Sequence, residues 1–375
     1  MNEKEVAEIR RRFKPGHNSM TQVRGCYVNE RHEIVSRFEH SMALNSQDDC
    51  EKLLTILKKT LSGTIGKNLI DLSFTTQQVV QGTEHKRLMK LRESGLMDED
   101  AVNEIFTKTV QNIDLESPYV ILMVQDKYDV PYRGKDGSDQ DDAGSEVYNY
   151  ILLSVCPVKQ LKPALGFKQN EFHGILPDPI VCAPELGFLF PAFEDRSTNM
   201  YNTLLYTRDS SLSYQEFVDA IFGDFKPVIP AATQKELFHS VLSETLEDEC
   251  SFEVVQTVNN QLGYLIDEHK ASKDPEPLVI GKDTVKQALD ACGVSEDKIS
   301  AFEEKYDAEF GADKELSPKN LIENKIIVKT PSVVIQVDPD RSDLIDTRII
   351  DGKKYILIRA DEGAEVNGVP VKIKE

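Results

Sequence analysis

Apolar positions change their period several times along the chain, and each change marks an element. Val6, Ile9 and Phe13 recur at helical spacing behind Asn2. Asn2 with Glu5 forms a capping box, and Pro15-Gly16 stops the helix. The triple arginine Arg10-Arg11-Arg12 falls in its last turns, where cations suit the helix dipole. Val23 to Tyr27 and Ile34 to Phe38 read as strands of a hairpin turning at Asn29-Glu30-Arg31-His32. Ser46, with Asp49 at the capping-box position, opens a second helix. Its apolar face is Cys50, Leu53, Leu54, Leu57 and Leu61. Leu69 to Phe74 alternates as a half-buried strand. Two further helices are predicted, one carrying Val80, Leu88 and Leu91 up to Gly95, the other carrying Val102, Ile105, Phe106, Val110 and Ile113.

The pattern then turns to β. Tyr119 to Val124 is a continuous apolar run, Val147 to Cys156 is a second strand ended by Pro157, and Ile180 to Phe193 and Met200 to Tyr206 follow. From Thr233 the period is helical again. Thr233 and Glu236 are a capping box for the face Leu237, Phe238, Val241, Leu242 and Leu246, and Val255 to Ile266 line the next helix. Residues 270–277 read as a linker before two short helices joined at Gly293-Val294-Ser295. Beyond 325 the strands are short, with Asp351-Gly352 and Asn367-Gly368 as hairpin turns. The fold class is therefore α+β, with a mixed domain over 1–228, an acidic helical segment over 229–324 and a small antiparallel β module over 325–375.

Charge sharpens this division. The 375-residue chain has a net charge of −20. Residues 231–324 hold 21 acidic and 9 basic residues, whereas 325–375 hold 9 of each. Such a surface repels nucleic acid and anionic membranes over much of its area. No apolar run reaches the roughly 20 residues of a membrane span, and the charged start MNEKEVAEIRRRF has no apolar signal core, so a cytoplasmic location is expected. Six widely spaced cysteines without a C-x-x-C read as reduced thiols.

The stretch Leu61-Ser62-Gly63-Thr64-Ile65-Gly66-Lys67-Asn68 has the glycines and lysine of a phosphate loop. Its frame is wrong for one. Leu61 stands at the first glycine position, Asn68 follows the lysine, and a helix ends where one should begin. Gly63 is instead expected as a helix cap and Lys67 as a solvated side chain. Around Gly293-Val294-Ser295 the spacing is close to a helix-turn-helix. The second helix, however, carries Glu296, Asp297, Glu303, Glu304, Asp307 and Glu309, so a structural corner is expected. The loop 131–144 is long for a hairpin and is either a site or a solvated tip. Counted from Asp136, its sixth position is Asp141 rather than the glycine of a calcium loop. Two phenylalanines between prolines, with a third just beyond, in Ala183 to Arg196 read as core or as an apolar partner edge. The pairs Glu236/His239 and Cys156/Cys182 with His173 match no metal-ligand set, and no metal or cofactor is called for.

The stretches EVAEIRRRFKP, RGCYVNE, KKTLSGTIGKNLIDLSF, YDVPYRGKDG, APELGFLFPAFEDRS and IDGKKYILIRADEG resemble a bacterial family described as a domain of unknown function. The resemblance runs from end to end. It implies a cytoplasmic bacterial protein and brings no activity with it. The layout of the tail, VKTPSVVIQVDPDRSDLIDTRIIDGKKYILI, is similar to that of nucleoid-associated proteins, at the level of fold alone. Two functional expectations follow. The first is an interaction protein with a protein partner, with nucleoid association as one form of it that the acidity of the chain disfavours. It would use the basic stretch Arg10, Arg11, Arg12, Lys14 and Arg24, or the edge at Phe188 and Phe190. The second is a hydrolase or transferase with Asp129, Arg133, Glu185 and Asp195 gathered beside the 131–144 loop.

Overall fold

The computed structural model describes residues 1–44, 46–133, 139–140, 146–168, 170–225, 228–272, 274, 276–312, 314–322, 326–337, 341, 344–361, 363–366 and 369–371. The chain divides into two compact units, Met1–Thr233 with Asp274–Pro277, and Gln234–Lys273 with Leu278–Glu375.

The first unit begins with α1 (Glu3–Arg12), capped by Asn2 and Glu5 in the expected capping box. The hairpin β1 (Gln22–Val28) and β2 (Ile34–Ser41) follows, then α2 (Gln47–Lys58) behind its Ser46 cap. Next come β3 (Leu69–Ser73), α3 (Thr76–Gln81), α4 (Thr83–Ser94) and α5 (Glu99–Gln111). The helix expected through Val80 is interrupted. Gly82 is extended and separates α3 from α4, and Val80 is exposed on the short α3. The long strands β4 (Tyr119–Val130) and β7 (Glu146–Lys159) are bridged by the short pair β5 (Tyr132–Arg133) and β6 (Asp139–Gln140). Residues 134–138 and 141–144 of that loop lie outside the described residues.

A second hairpin, β8 (Ala164–Lys168) and β9 (Glu171–Ile175), comes next. The single strand expected over 180–193 is three, β10 (Ile180–Val181), β11 (Leu186–Phe190) and β12 (Ala192–Glu194). β13 (Ser197–Asn199), β14 (Asn202–Thr207) and α6 (Gln215–Phe222) complete the unit.

The main sheet is ordered β2-β1-β4-β7-β11-β14-β3, with β10 beside β7, and its pairings are antiparallel. One face packs on α4, α5 and α6 through Leu88, Val102, Phe106, Phe217 and Phe222. The other packs on α1 and α2 through Val6, Ile9, Leu54 and Leu57. Both faces are covered, which is why Tyr119 to Val124 is apolar at every position rather than at alternate ones. Pro157 does not end β7. It lies between the last β11 partner, Val155, and the first β10 partner, Val158, so its missing N–H falls in a gap of the ladder.

The turn after α2 is structural. A short 3-10 turn, Lys59–Leu61, ends in Ser62, and Gly63 follows at φ +103°. Asn68 fills the turn, accepting from the Thr64 amide and donating to the carbonyls of Thr207 and Arg208. A Cβ on Gly63 would lie 2.5 Å from the Asn68 Cβ. Gly63→Ala is therefore expected to lose about 1–3 kcal/mol in urea unfolding. Lys67 is exposed, and Lys67→Ala should stay within about 0.5 kcal/mol of the parent.

The second unit holds most of α7 (Ala231–Leu246), then α8 (Phe252–Ser272), α9 (Lys282–Ala291) and α10 (Glu296–Glu309). Helix α7 begins two residues before Thr233, which lies in its first turn and not at its cap. Phe238, Val258, Leu262, Leu289, Phe302 and Tyr306 are buried. Gly293 turns the α9–α10 corner at φ +74°. Lys282 to Asp307 and Lys286 to Glu303 tie the two helices together. Three hairpins follow: β15 (Ile326–Thr330) with β16 (Val333–Val337), β17 (Ile345–Ile350) with β18 (Lys353–Ile358), and β19 (Ala364–Val366) with β20 (Val369–Val371). Asp351 and Gly352 both have positive φ, as a two-residue hairpin turn requires. Asn367-Gly368 lies outside the described residues. The chain is α+β, with helices packed on an antiparallel sheet, a helical middle and small antiparallel hairpins at the end.

Candidate functional site

Helix α1 joins a buried polar network of the first unit. Its capping box sets the first turn, and its inward face then brings Glu5, Glu8 and Arg12 against the sheet. Arg12 donates to both carboxylate oxygens of Asp126, at 2.9 and 3.0 Å, and lies 4.7 Å from the centre of the Tyr128 ring. Asp126 is fully buried. It also accepts from the Ser19 amide, the Ser19 hydroxyl and the Tyr150 hydroxyl. Glu8 accepts from Tyr128 and from Arg196, whose other nitrogen donates to the Pro131 carbonyl. Glu5 accepts from the Asn2 and Asp195 amides. The Met1 ammonium pairs with Asp71 and Glu194.

This network is saturated. With five hydrogen bonds on Asp126, no lone pair is left for a substrate. Burial, reinforced by the Asp126 charge, holds the Tyr150 hydroxyl well above its ordinary pKa. Burial does the same for Tyr148, which stacks on Tyr150 and donates to the Pro191 carbonyl. Glu194 goes the other way. Burial alone would raise its pKa, but donors from Asn202 and Asn199 and the Met1 ammonium outweigh burial and lower it. The arrangement braces α1 against the sheet.

The expected catalytic group is not assembled. Asp129 is exposed and opposite Val147, while the Glu185 amide donates to the Val155 carbonyl. Eight residues of one strand separate these two points, about 27 Å at the rise of an extended chain. Glu185 is instead paired with Arg208 at 2.6 Å. Asp195 is exposed in the β12–β13 turn at φ +49°, and the Arg133 side chain lies outside the described residues.

The expected interaction residues are also redistributed. Arg12 is held by Asp126. Arg24 is 7% exposed and bonded to Glu39 and Glu99. Arg11 and Lys14 are exposed, and Arg10 is half-buried. Phe188 and Phe190 form no partner edge. Both are 0% exposed, because β11 lies between β7 and β14 and beneath α6. Phe188 meets Phe222 at 5.0 Å, and Phe190 meets the buried His85 at 5.5 Å.

The apolar surface lies elsewhere, on an element that the periodicity of the chain did not suggest. The β8–β9 hairpin pairs Leu165 with Gly174 and Phe167 with Phe172. Leu165 and Phe172 are each 72% exposed, Phe167 is 62% and the following Leu176 is 81%. The two phenylalanine rings lie 5.0 Å apart on one face. On the opposite face Ile175 and His173 cover Gly166. Neither β8 nor β9 pairs with a further strand among the described residues. The signal for this arm is the alternation of Leu165 and Phe167 around a polar turn, framed by Pro163 and Pro177.

In the second unit, a shallow acidic groove runs between α7 and α10, and its lysines are already used, Lys298 by Glu247 and Lys305 by Glu244. Among the described residues, no group of three or more His, Cys, Asp or Glu side chains is placed to hold a metal ion. Among the same residues, no helix is long and apolar enough to cross a membrane. Neither the curated proteins nor the solved structures contain a match to the chain, so the likeness of the tail to nucleoid-associated proteins finds no support. The profile of one family, described as a domain of unknown function (DUF4317), matches residues 1–369, and the chain belongs to that family.

Proposed function

We propose that this chain is a cytoplasmic bacterial protein that works by binding another protein, and that the β8–β9 arm is its contact surface. The observation that carries this reading is the exposed face of Leu165, Phe167 and Phe172 on a hairpin whose edges meet no further strand among the described residues. A two-stranded hairpin is marginal in water by itself. Large apolar side chains gathered on one face of such an element mark an interaction site. Nucleic acid is a poor partner for the arm, because the chain is strongly acidic and Arg12 and Arg24 are occupied within the fold.

A photo-crosslinking amino acid placed at Phe172 in growing cells tests the reading. The same residue at Val80, which is 62% exposed on α3, serves as control. A discrete protein adduct from position 172 and none from position 80 is the expected result. Equal labelling at the two positions, or no adduct at 172, would remove the arm as a contact surface.

A further inference from the structure

We infer that the partner of the arm is the arm of a second copy of this chain, in a two-fold symmetric dimer. This inference rests on the reading of the arm as a contact surface, and three observations carry it further.

The first is area. Leu165, Phe167, Phe172 and Leu176 together expose on the order of 500 Å² of side chain. With Ile175 on the opposite face and the partly exposed Leu161, Ile180 and Val181 at its base, the segment as a whole exposes roughly the 800 Å² that one partner contributes to a stable interface.

The second is charge. The chain carries −20, yet residues 160–181 hold two lysines, Lys162 and Lys168, against Glu171 and Asp178. Two copies that approach through a locally neutral segment avoid most of the repulsion that other faces of so acidic a chain would impose.

The third is shape. On the exposed face Phe172 projects beside Gly174, where an added Cβ would find nothing within 4 Å. A projecting ring and an open notch on the same face are self-complementary, which a two-fold contact requires. In the dimer Phe172 of each copy fills the notch at Gly174 of the other, and the free edge of one hairpin pairs with that of its mate.

Sedimentation equilibrium on the purified full chain, from low to high micromolar concentration, tests this inference. The expected mass is twice the 42.3 kDa of the chain. Gly174→Val fills the notch where the fold leaves room, and should weaken association at least tenfold. Leu165→Lys puts a charge on the contact face while keeping the Phe167–Phe172 pair, and should give the single-chain mass. Far-UV circular dichroism of both variants should match the parent. In a mixture of light and nitrogen-15-labelled chains, cross-links between Lys162 and Lys168 should carry both isotopes.

A single-chain mass at every concentration overturns the inference, as does a dimer unaffected by either variant. If the chain is single while position 172 still captures a different protein in cells, self-association falls and the contact surface stands. If neither occurs, both fall.

Discussion

Replacing Asp126 by alanine is expected to cost about 3–5 kcal/mol of the stability of the first unit, the range seen when one partner of a buried ion pair is removed. The substitution takes away the carboxylate that receives Arg12, Ser19 and Tyr150. It leaves a guanidinium only 19% exposed and two sheet-facing donors without acceptors. The chain has 12 tyrosines and no tryptophan, so near-UV circular dichroism in a urea titration reports on tyrosine packing, to which the stacked Tyr148–Tyr150 pair contributes. Arg12→Leu should also be strongly destabilising. The double variant of Arg12→Leu with Asp126→Ala should lose less than the two single losses together, by at least about 1 kcal/mol, because the two residues act as a pair. A loss below about 1 kcal/mol for Asp126→Ala, the size of an exposed ion pair, would mean that α1 is not braced in this way.

Phe188→Ala should be of similar size, about 3–5 kcal/mol, as for other fully buried aromatic truncations. The ring lies among Phe217 and Phe222 beneath α6, in a layer without exposed surface. The same measurement separates the two readings of this strand. A partner edge would lose binding and keep its stability, whereas a core residue loses stability first. The neighbouring Gly187 is packed as closely on the opposite face of the strand. A Cβ there would meet the Leu153 carbonyl oxygen at 2.3 Å and the Thr60 methyl at 2.5 Å, so the two strands approach as closely as they do only because the residue is glycine.

Local signals in the chain were readable and distant ones were not. The Asn2–Glu5 and Ser46 caps, the αL end of α4 at Gly95 and the Asp351-Gly352 turn depend on residues a few positions apart. The capping-box spacing at Thr233 failed because α7 starts one turn earlier, at Ala231. Val80 failed because Gly82 divides a segment whose apolar spacing runs on past it. Pro157 misled because its missing donor matters only where a neighbouring strand needs it, and that neighbour is set by the sheet order. The role of Arg12 was out of reach, because its partner is 114 residues away, and three adjacent arginines look alike until the fold buries one. The Phe188 strand and the Phe167–Phe172 arm are the instructive contrast. Both are aromatic stretches flanked by prolines. Strand pairing on both sides buries the first, while the second pairs with no further strand among the described residues and is exposed.

The most direct test of a binding role for the arm is to remove the arm alone. Lys159 and Ile180 are paired across the base of the segment, so residues 160–179 can be replaced by Asn-Gly, a two-residue hairpin turn suited to that pair. Urea unfolding of the trimmed chain should stay within the roughly 0.5 kcal/mol typical of surface changes, while sedimentation and in-cell cross-linking should show association lost. A trimmed chain that no longer folds would place the arm in the structural core. One that folds and keeps the same associations would show that binding happens elsewhere.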